Sequence, residues 1–192
     1  MTTANKVTIG RILLIPFFVY QFLEYRTTHE SLAHWLCLGS FAAISILDGV
    51  DGFIARRFNQ RSELGAALDP LADKLLLTAS IILLSLNRSP FVNLPLWLTA
   101  LILSRDVLIG LGAGVIYFTC GKIDIRPRVL GKIATVANVV IVIWALCGFS
   151  PKIQSWMTIV VALLTVVSGL QYLSDGIRQL NESPRSAASP KQ

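Results

Sequence analysis

Four aspartates lie at the edges of or inside apolar runs, in the order Asp48-x2-Asp51-Gly52-x2-Ala55-Arg56-x8-Gly65-x3-Asp69-x3-Asp73. A carboxylate near the centre of a bilayer costs roughly 2.5 kcal/mol or more, so acids in such a setting are expected to face a cavity, a cation or a metal. On a helix, Asp48 and Asp51 share one face, and so do Asp69 and Asp73. Two such helices facing each other would bring four carboxylates to one point, where their charges repel and force proton uptake unless cations separate them. All-oxygen ligands favour Mg2+ or Mn2+ over Zn2+. A pair of such ions bridged by carboxylates suits phosphoryl-type transfer, in which metals stabilise the attacking and leaving oxygens. Gly52 and Ala55 leave room beside the acids for a ligand, Gly65 permits close backbone approach, and Arg56 is placed to clamp a phosphate.

The sequence that must position these residues reads as a polytopic membrane protein. Of 192 residues, 54% are hydrophobic and 15% charged, with a mean hydropathy of +0.64, which argues against a soluble globular domain. Six apolar stretches, about 7–25, 31–55, 66–86, 93–119, 128–149 and 152–179, each reach the ~20 residues that a spanning helix needs. The expected fold is all-α: a bundle of six transmembrane helices within residues 1–180. A polar cavity would open to the cytoplasm, bordered by spans two and three and roofed by cations from spans four and five. Residues 181–192, rich in Ser, Pro and Lys, are expected to form a disordered tail.

Basic residues set the orientation. With the N-terminus inside, the inner segments carry Lys6, Arg11, Arg56, Arg57, Arg61, Lys122, Arg126, Arg128, Lys132, Arg178, Arg185 and Lys191, and the outer ones only Arg26, Arg88 and Lys152. Both termini and the aspartates are therefore expected on the cytoplasmic side. A basic inner face beside anionic lipid accounts for the net charge of +6 without a nucleic-acid partner. The first apolar stretch follows one lysine, is interrupted by Arg11 and Pro16 and shows no cleavage pattern, so it reads as a retained helix. The lack of an Arg/Ser-rich transit segment points to a bacterial inner membrane. Cys37, Cys120 and Cys147 have no metal-ligand spacing and read as small core residues.

Further polar residues interrupt the apolar runs. Asn5-x2-Thr8-x2-Arg11-x4-Pro16 opens the chain; Asn5 is placed to cap the helix it precedes, Thr8 and Arg11 share a face, and Pro16 should kink the span. Arg11 either serves the polar site or snorkels to the inner interface. Ser104-Arg105-Asp106 lies deep in the fourth span. Adjacent helical residues point about 100° apart, so Arg105 and Asp106 are expected to find separate partners across the bundle. Arg105 reads as a phosphate ligand for the acceptor or lipid head group, or else as the partner of one of the four aspartates. Arg128 and Lys132, four apart at the entry to span five, would present two cations on one face, suited to a phosphate. With Arg126, they also fit a plain positive-inside loop. Trp35, Trp97, Trp144 and Trp156 read as interfacial anchors or packing, and His29 and His34, on the outer side, receive no catalytic role.

The aspartate arrangement resembles, position for position, the signature of the CDP-alcohol phosphotransferase family, D-x2-D-G-x2-A-R-x8-G-x3-D-x3-D. The resemblance implies an enzyme that moves a phosphatidyl group from CDP-diacylglycerol, or a phosphobase from a CDP-amino alcohol, to an acceptor hydroxyl with release of CMP. It implies that Asp48, Asp51, Asp69 and Asp73 hold two metal ions, Mg2+ or Mn2+, and that Asp73 is also the general base. Asp48, Gly52, Ala55, Arg56 and Gly65 would contact the cytidine diphosphate, and Arg105, Arg128 and Lys132 the acceptor or its phosphate. A homodimer is implied as well, and Gly110-x-Gly112-x-Gly114 offers a small face for it. In the implied reaction the hydroxyl oxygen attacks the β-phosphorus in line.

The opening motif is similar to that of the family's bacterial phosphatidylglycerophosphate and cardiolipin synthases. The glycerophosphate-using enzymes resemble this chain less at two places, where cations are expected and Ala113 and Ala134 stand. The runs from Asp51 to Arg56, Leu68 to Lys74 and Ser104 to Val107 look like those of eukaryote-type cardiolipin synthases. Phosphatidylglycerol is thus the expected acceptor, with glycerol 3-phosphate the alternative. The rival from another class is an ion or proton transporter, but a relay distributes its acids through several spans, and these cluster on two neighbours.

Overall fold

The computed structural model describes the backbone of residues 3–58, 63–86, 91–120 and 129–181, and the side chains of residues 10–47, 71–86, 91–116, 118 and 129–179. The described residues form six α-helices and no strand: α1 (Thr3–Thr28), α2 (Ser31–Phe58), α3 (Glu63–Ser85), α4 (Leu96–Cys120), α5 (Val129–Leu146) and α6 (Pro151–Asn181). Each coincides with one apolar stretch of the sequence. Among the described residues, three segments are long and apolar enough to cross a membrane, Leu96–Ile116, Val129–Leu146 and Pro151–Gln179, and Ser31–Leu47 is a shorter apolar helix. α1 carries Arg11, Gln21, Glu24 and Arg26, and α2 and α3 carry two aspartates each.

α1 begins at Thr3, so Asn5 lies inside its first turn and not ahead of it as a cap. The helix continues through Pro16 without a break. The tail expected to be disordered, beyond Asn181, lies outside the described residues.

The chain divides into two compact units. The first comprises the residues up to Leu94 together with Val142–Phe149. Here α1 packs on both α2 and α3, and the two-residue link from α1 to α2 is set by His29, whose φ of 55° is a left-handed helix stop. Aromatic side chains fill one end of the packing. Phe91 lies 4.9 Å from Phe22 and 5.0 Å from Tyr25, ring centre to ring centre, and His34 stacks on Tyr25 at 4.9 Å. His34 Nε2 is also 3.2 Å from the carbonyl oxygen of Leu146. His34 is thus part of the aromatic packing of this unit. Phe18 and Phe22 are wholly buried, and Cys37 is a buried free thiol.

The second unit comprises Pro95–Ile141 and the residues from Ser150 onward. Its main packing is α4 against α6; Leu98 and Ile102 on α4 and Val161, Thr165 and Ser168 on α6 are buried. Trp97 and Trp156 are exposed within the first two turns of α4 and α6, as interfacial anchors would be. Trp144, in the part of α5 that belongs to the first unit, packs on Phe149 instead, 4.8 Å away.

Candidate functional site

α2 and α3 carry the signature. Asp48, Asp51, Gly52, Ala55 and Arg56 lie on the last three turns of α2, and Gly65, Asp69 and Asp73 on the first three of α3. Both stretches are continuous helix, so the three- and four-residue spacings place each acid pair on one helical face. Only Asp73 among the signature residues has a described side chain; those of Asp48, Asp51, Gly52, Ala55, Arg56, Gly65 and Asp69 lie outside the described set. Among the described residues no group of three His, Cys, Asp or Glu side chains gathers to hold a metal. The signature itself offers four carboxylates and neither Cys nor His, a donor set that suits an oxygen-ligated divalent ion better than a thiolate- or imidazole-bound one.

Asp73 is half exposed, and its carboxylate oxygen Oδ1 accepts a hydrogen bond from Nη2 of Arg11, on α1. Arg11 itself is wholly buried. It does not snorkel. At the ninth residue of α1 the guanidinium has more to gain from a carboxylate across the helix packing than from a distant interface, since an unpaired buried cation is strongly disfavoured. The sequence contained this signal only indirectly: a deeply set arginine needs an acid, and the acids within reach are those of the signature.

In the second unit the expectation for Arg105 and Asp106 is corrected. Nη1 of Arg105 donates to Oδ1 of its neighbour Asp106 at 2.9 Å. The 100° between adjacent Cβ directions does not prevent this, because the long arginine side chain turns back around the helix. Its other amine, Nη2, donates to Ser168 Oγ on α6 at 2.7 Å. The guanidinium carbon lies 5.6 Å from the centre of the Tyr172 ring. Nε of Arg105 is buried and has no hydrogen-bond partner among the described residues. A cavity of about 370 Å³ runs between α4 and α6, lined chiefly by aliphatic side chains, with Arg105, Thr165 and Tyr172 among its few polar ones.

Of the basic residues expected near α5, Lys132 is exposed in the first turn. Arg126 and Arg128 lie outside the described residues; α5 begins only at Val129, after Arg128. Ala134, where a second lysine was looked for, is buried at 2% exposure, and Ala113 lines the α4–α6 cavity. Nothing in the sequence singles out Ser168 or Tyr172, since a serine and a tyrosine in an apolar helix look like packing.

Comparison with known proteins agrees with this arrangement. The sequence model of the family described as CDP-alcohol phosphatidyltransferase matches residues 1–167. A protein of Bacillus subtilis (strain 168) named CDP-diacylglycerol--glycerol-3-phosphate 3-phosphatidyltransferase is 33% identical over 196 residues, covering 93% of this chain and 97% of its own. One of the same name from Escherichia coli K12 is 33% identical over 176 residues, covering 88% and 91%. A probable phosphatidylglycerophosphate synthase of Mycobacterium tuberculosis is 31% identical over 189 residues, covering 96% and 86%. The chain belongs to the CDP-alcohol phosphatidyltransferase family. It is an integral membrane enzyme of that class, and the transporter reading of its acids is set aside.

Proposed function

We propose that this enzyme transfers the phosphatidyl group of CDP-diacylglycerol to glycerol 3-phosphate, forming phosphatidylglycerophosphate and CMP. The observation that carries the acceptor is the naming of the three relatives, each similar along most of its length. This replaces phosphatidylglycerol, and hence cardiolipin as product, which the sequence had favoured because Ala113 and Ala134 stand where cations were expected and because three runs look like those of eukaryote-type cardiolipin synthases. Two missing cations leave Arg105 and Lys132 in place, so their absence does not argue for a lipid acceptor.

In this reading Asp48, Asp51, Asp69 and Asp73 hold divalent ions, Mg2+ or Mn2+, which when bound neutralise charge on the diphosphate and its leaving group. Asp48, Gly52, Ala55, Arg56 and Gly65 bind the cytidine diphosphate. Asp73, steadied by Arg11, takes the proton from the acceptor hydroxyl. The freed oxygen bonds to the β-phosphorus as the bond from that phosphorus to the bridging oxygen breaks, and CMP departs with Arg56 compensating its charge. Arg105, Arg128 and Lys132 bind the acceptor's phosphate, a dianion suited to guanidinium and ammonium donors. The buried, unpartnered Nε of Arg105 supports that role, as a donor that a ligand oxygen would satisfy.

The membrane is taken to be a bacterial inner membrane, with both termini and the site on the cytoplasmic side, as the lysine and arginine distribution suggests. A homodimer completes the reading. α4 supports it with Gly110, Gly112 and Gly114, where an added Cβ would meet no other atom within 4 Å. The test is an acceptor competition: purified enzyme with CDP-diacylglycerol and Mg2+ or Mn2+ is offered glycerol 3-phosphate, phosphatidylglycerol, inositol phosphate and serine. Phosphatidylglycerophosphate is the expected product; cardiolipin as the sole product would overturn the acceptor assignment.

A further inference from the structure

We infer that α6 is the cradle of the acceptor-binding arginine, with Ser168 and Tyr172 as positioning residues for the Arg105 guanidinium. The inference rests on the proposed role of Arg105 as a ligand of the acceptor phosphate.

Arg105 projects from α4, and most of what fixes it is on α6. Ser168 and Tyr172 are four residues apart and share one face of that helix. Ser168 is 1% exposed, and its hydroxyl oxygen takes the Nη2 hydrogen bond at 2.7 Å. The Tyr172 ring covers the guanidinium at cation–π distance, 5.6 Å. Between them Gly169 leaves a groove for the arginine stem: a Cβ there would stand 3.4 Å from Arg105 Cγ. Asp106 alone, on the same helix, holds only Nη1. One contact fixes a point, whereas the hydrogen bond and the ring face together fix the plane and hence the direction in which Nε–H is presented.

Tyr172 is in turn held from α5. A Cβ at Gly131 would lie 2.9 Å from the Tyr172 hydroxyl oxygen and 3.1 Å from Cε2 of its ring, so the tyrosine occupies the space that only glycine leaves. Gly131 directly precedes Lys132. Tyr172 therefore touches both the arginine on α4 and the start of the helix that carries the second proposed phosphate ligand. A pre-ordered guanidinium binds a phosphate without first losing its side-chain freedom. The cradle should consequently act on acceptor binding and not on CDP-diacylglycerol.

The test uses the full-length enzyme in lipid nanodiscs, with steady-state KM measured separately for glycerol 3-phosphate and CDP-diacylglycerol, and folding checked by thermal unfolding. Ser168→Ala and Tyr172→Leu are each expected to raise the acceptor KM about 5- to 30-fold, the range of one lost charged hydrogen bond or cation–π contact. The KM for CDP-diacylglycerol should stay within about twofold in both variants, because neither contact involves the nucleotide. Gly131→Ala should raise the acceptor KM by displacing Tyr172, and adding Tyr172→Phe, which removes the crowded hydroxyl, should recover part of the loss. Should Tyr172→Leu not fold, Ser168→Ala and the Gly131→Ala/Tyr172→Phe pair decide the matter. An unchanged acceptor KM in folded Ser168→Ala, an equal rise for both substrates, or no relief of Gly131→Ala by Tyr172→Phe would overturn the cradle. Arg105→Ala separates the two levels. If it raises the acceptor KM while the α6 variants do not, only the cradle fails; if it leaves that KM unchanged, the phosphate-ligand role itself fails.

Discussion

Arg11 of α1, wholly buried, is bound through its guanidinium to the carboxylate of Asp73 on α3, two residues separated by 62 positions in the chain. The pair makes α1 part of the site that the aspartate signature assigns to α2 and α3. It also explains why an arginine is tolerated inside a helix that otherwise contributes Phe18, Phe22 and Ile15 to the packing. The charge-assisted hydrogen bond holds a carboxylate that the proposed chemistry requires in one orientation.

Removing the arginine should therefore damage both folding and turnover. Arg11→Met takes one charge-assisted hydrogen bond from Asp73, and the loss is expected to be about 1–3 kcal/mol, moderated because the carboxylate is half exposed. Arg11→Lys, which keeps the charge but loses the planar fork, should retain part of the activity. Thermal unfolding and CMP release, measured on the same preparations, check this; full activity in Arg11→Met would show that the pair has no part in the reaction.

Asp69→Asn and Asp73→Asn should differ in kind. Each removes a proposed metal ligand and should lower CMP release by a factor on the order of 1000, corresponding to about 4 kcal/mol of transition-state stabilisation. Asp73→Asn should in addition lower the unfolding temperature, since it takes the charge away from the partner of buried Arg11. Turnover by either variant near the wild-type rate would count against the metal assignment.

Chelation gives an independent reading of the same site. EDTA should abolish CMP release, and Mg2+ or Mn2+ should restore it. The restored ion should also raise the unfolding temperature in the absence of substrate, because a ligand that binds only the folded chain stabilises it by mass action. That metal-dependent shift should be missing in Asp69→Asn.

Ala134→Lys tests how the departures from the family's glycerophosphate pattern are to be read. Ala134 is buried, so a lysine there must either desolvate its ammonium or push its stem out past neighbouring side chains. The expected result is a less stable protein, by about 2 kcal/mol, with no lower KM for glycerol 3-phosphate. A stable variant with tighter acceptor binding would show that the buried position can turn toward the site.

What was legible in the sequence follows from the range of each interaction. The six helices were readable because apolar runs and their polar interruptions are local, and the acid pairs because spacing on one helix is local too. The partner of Arg11 was not, since nothing near position 11 marks Asp73. For Arg105 the helical-wheel argument treated a flexible three-methylene stem and its guanidinium as if they ended at Cβ, and so separated it from Asp106. The α6 contacts of Arg105 were silent because Ser168, Gly169 and Tyr172 are residue types common in apolar helices. The acceptor expected from two alanines and from three runs like those of cardiolipin synthases is not the one that the relatives' names favour; a missing cation says what a site lacks and not what the remaining ones bind.

The most direct measurement of the account is the stoichiometry of one reaction. Purified enzyme in nanodiscs receives CDP-diacylglycerol, Mg2+ or Mn2+ and glycerol 3-phosphate, and CMP and lipid products are quantified together. The account predicts one CMP for each phosphatidylglycerophosphate formed, with both lost in Asp69→Asn. CMP release that depends on phosphatidylglycerol instead of glycerol 3-phosphate, or product formation that survives the loss of Asp69, would contradict it.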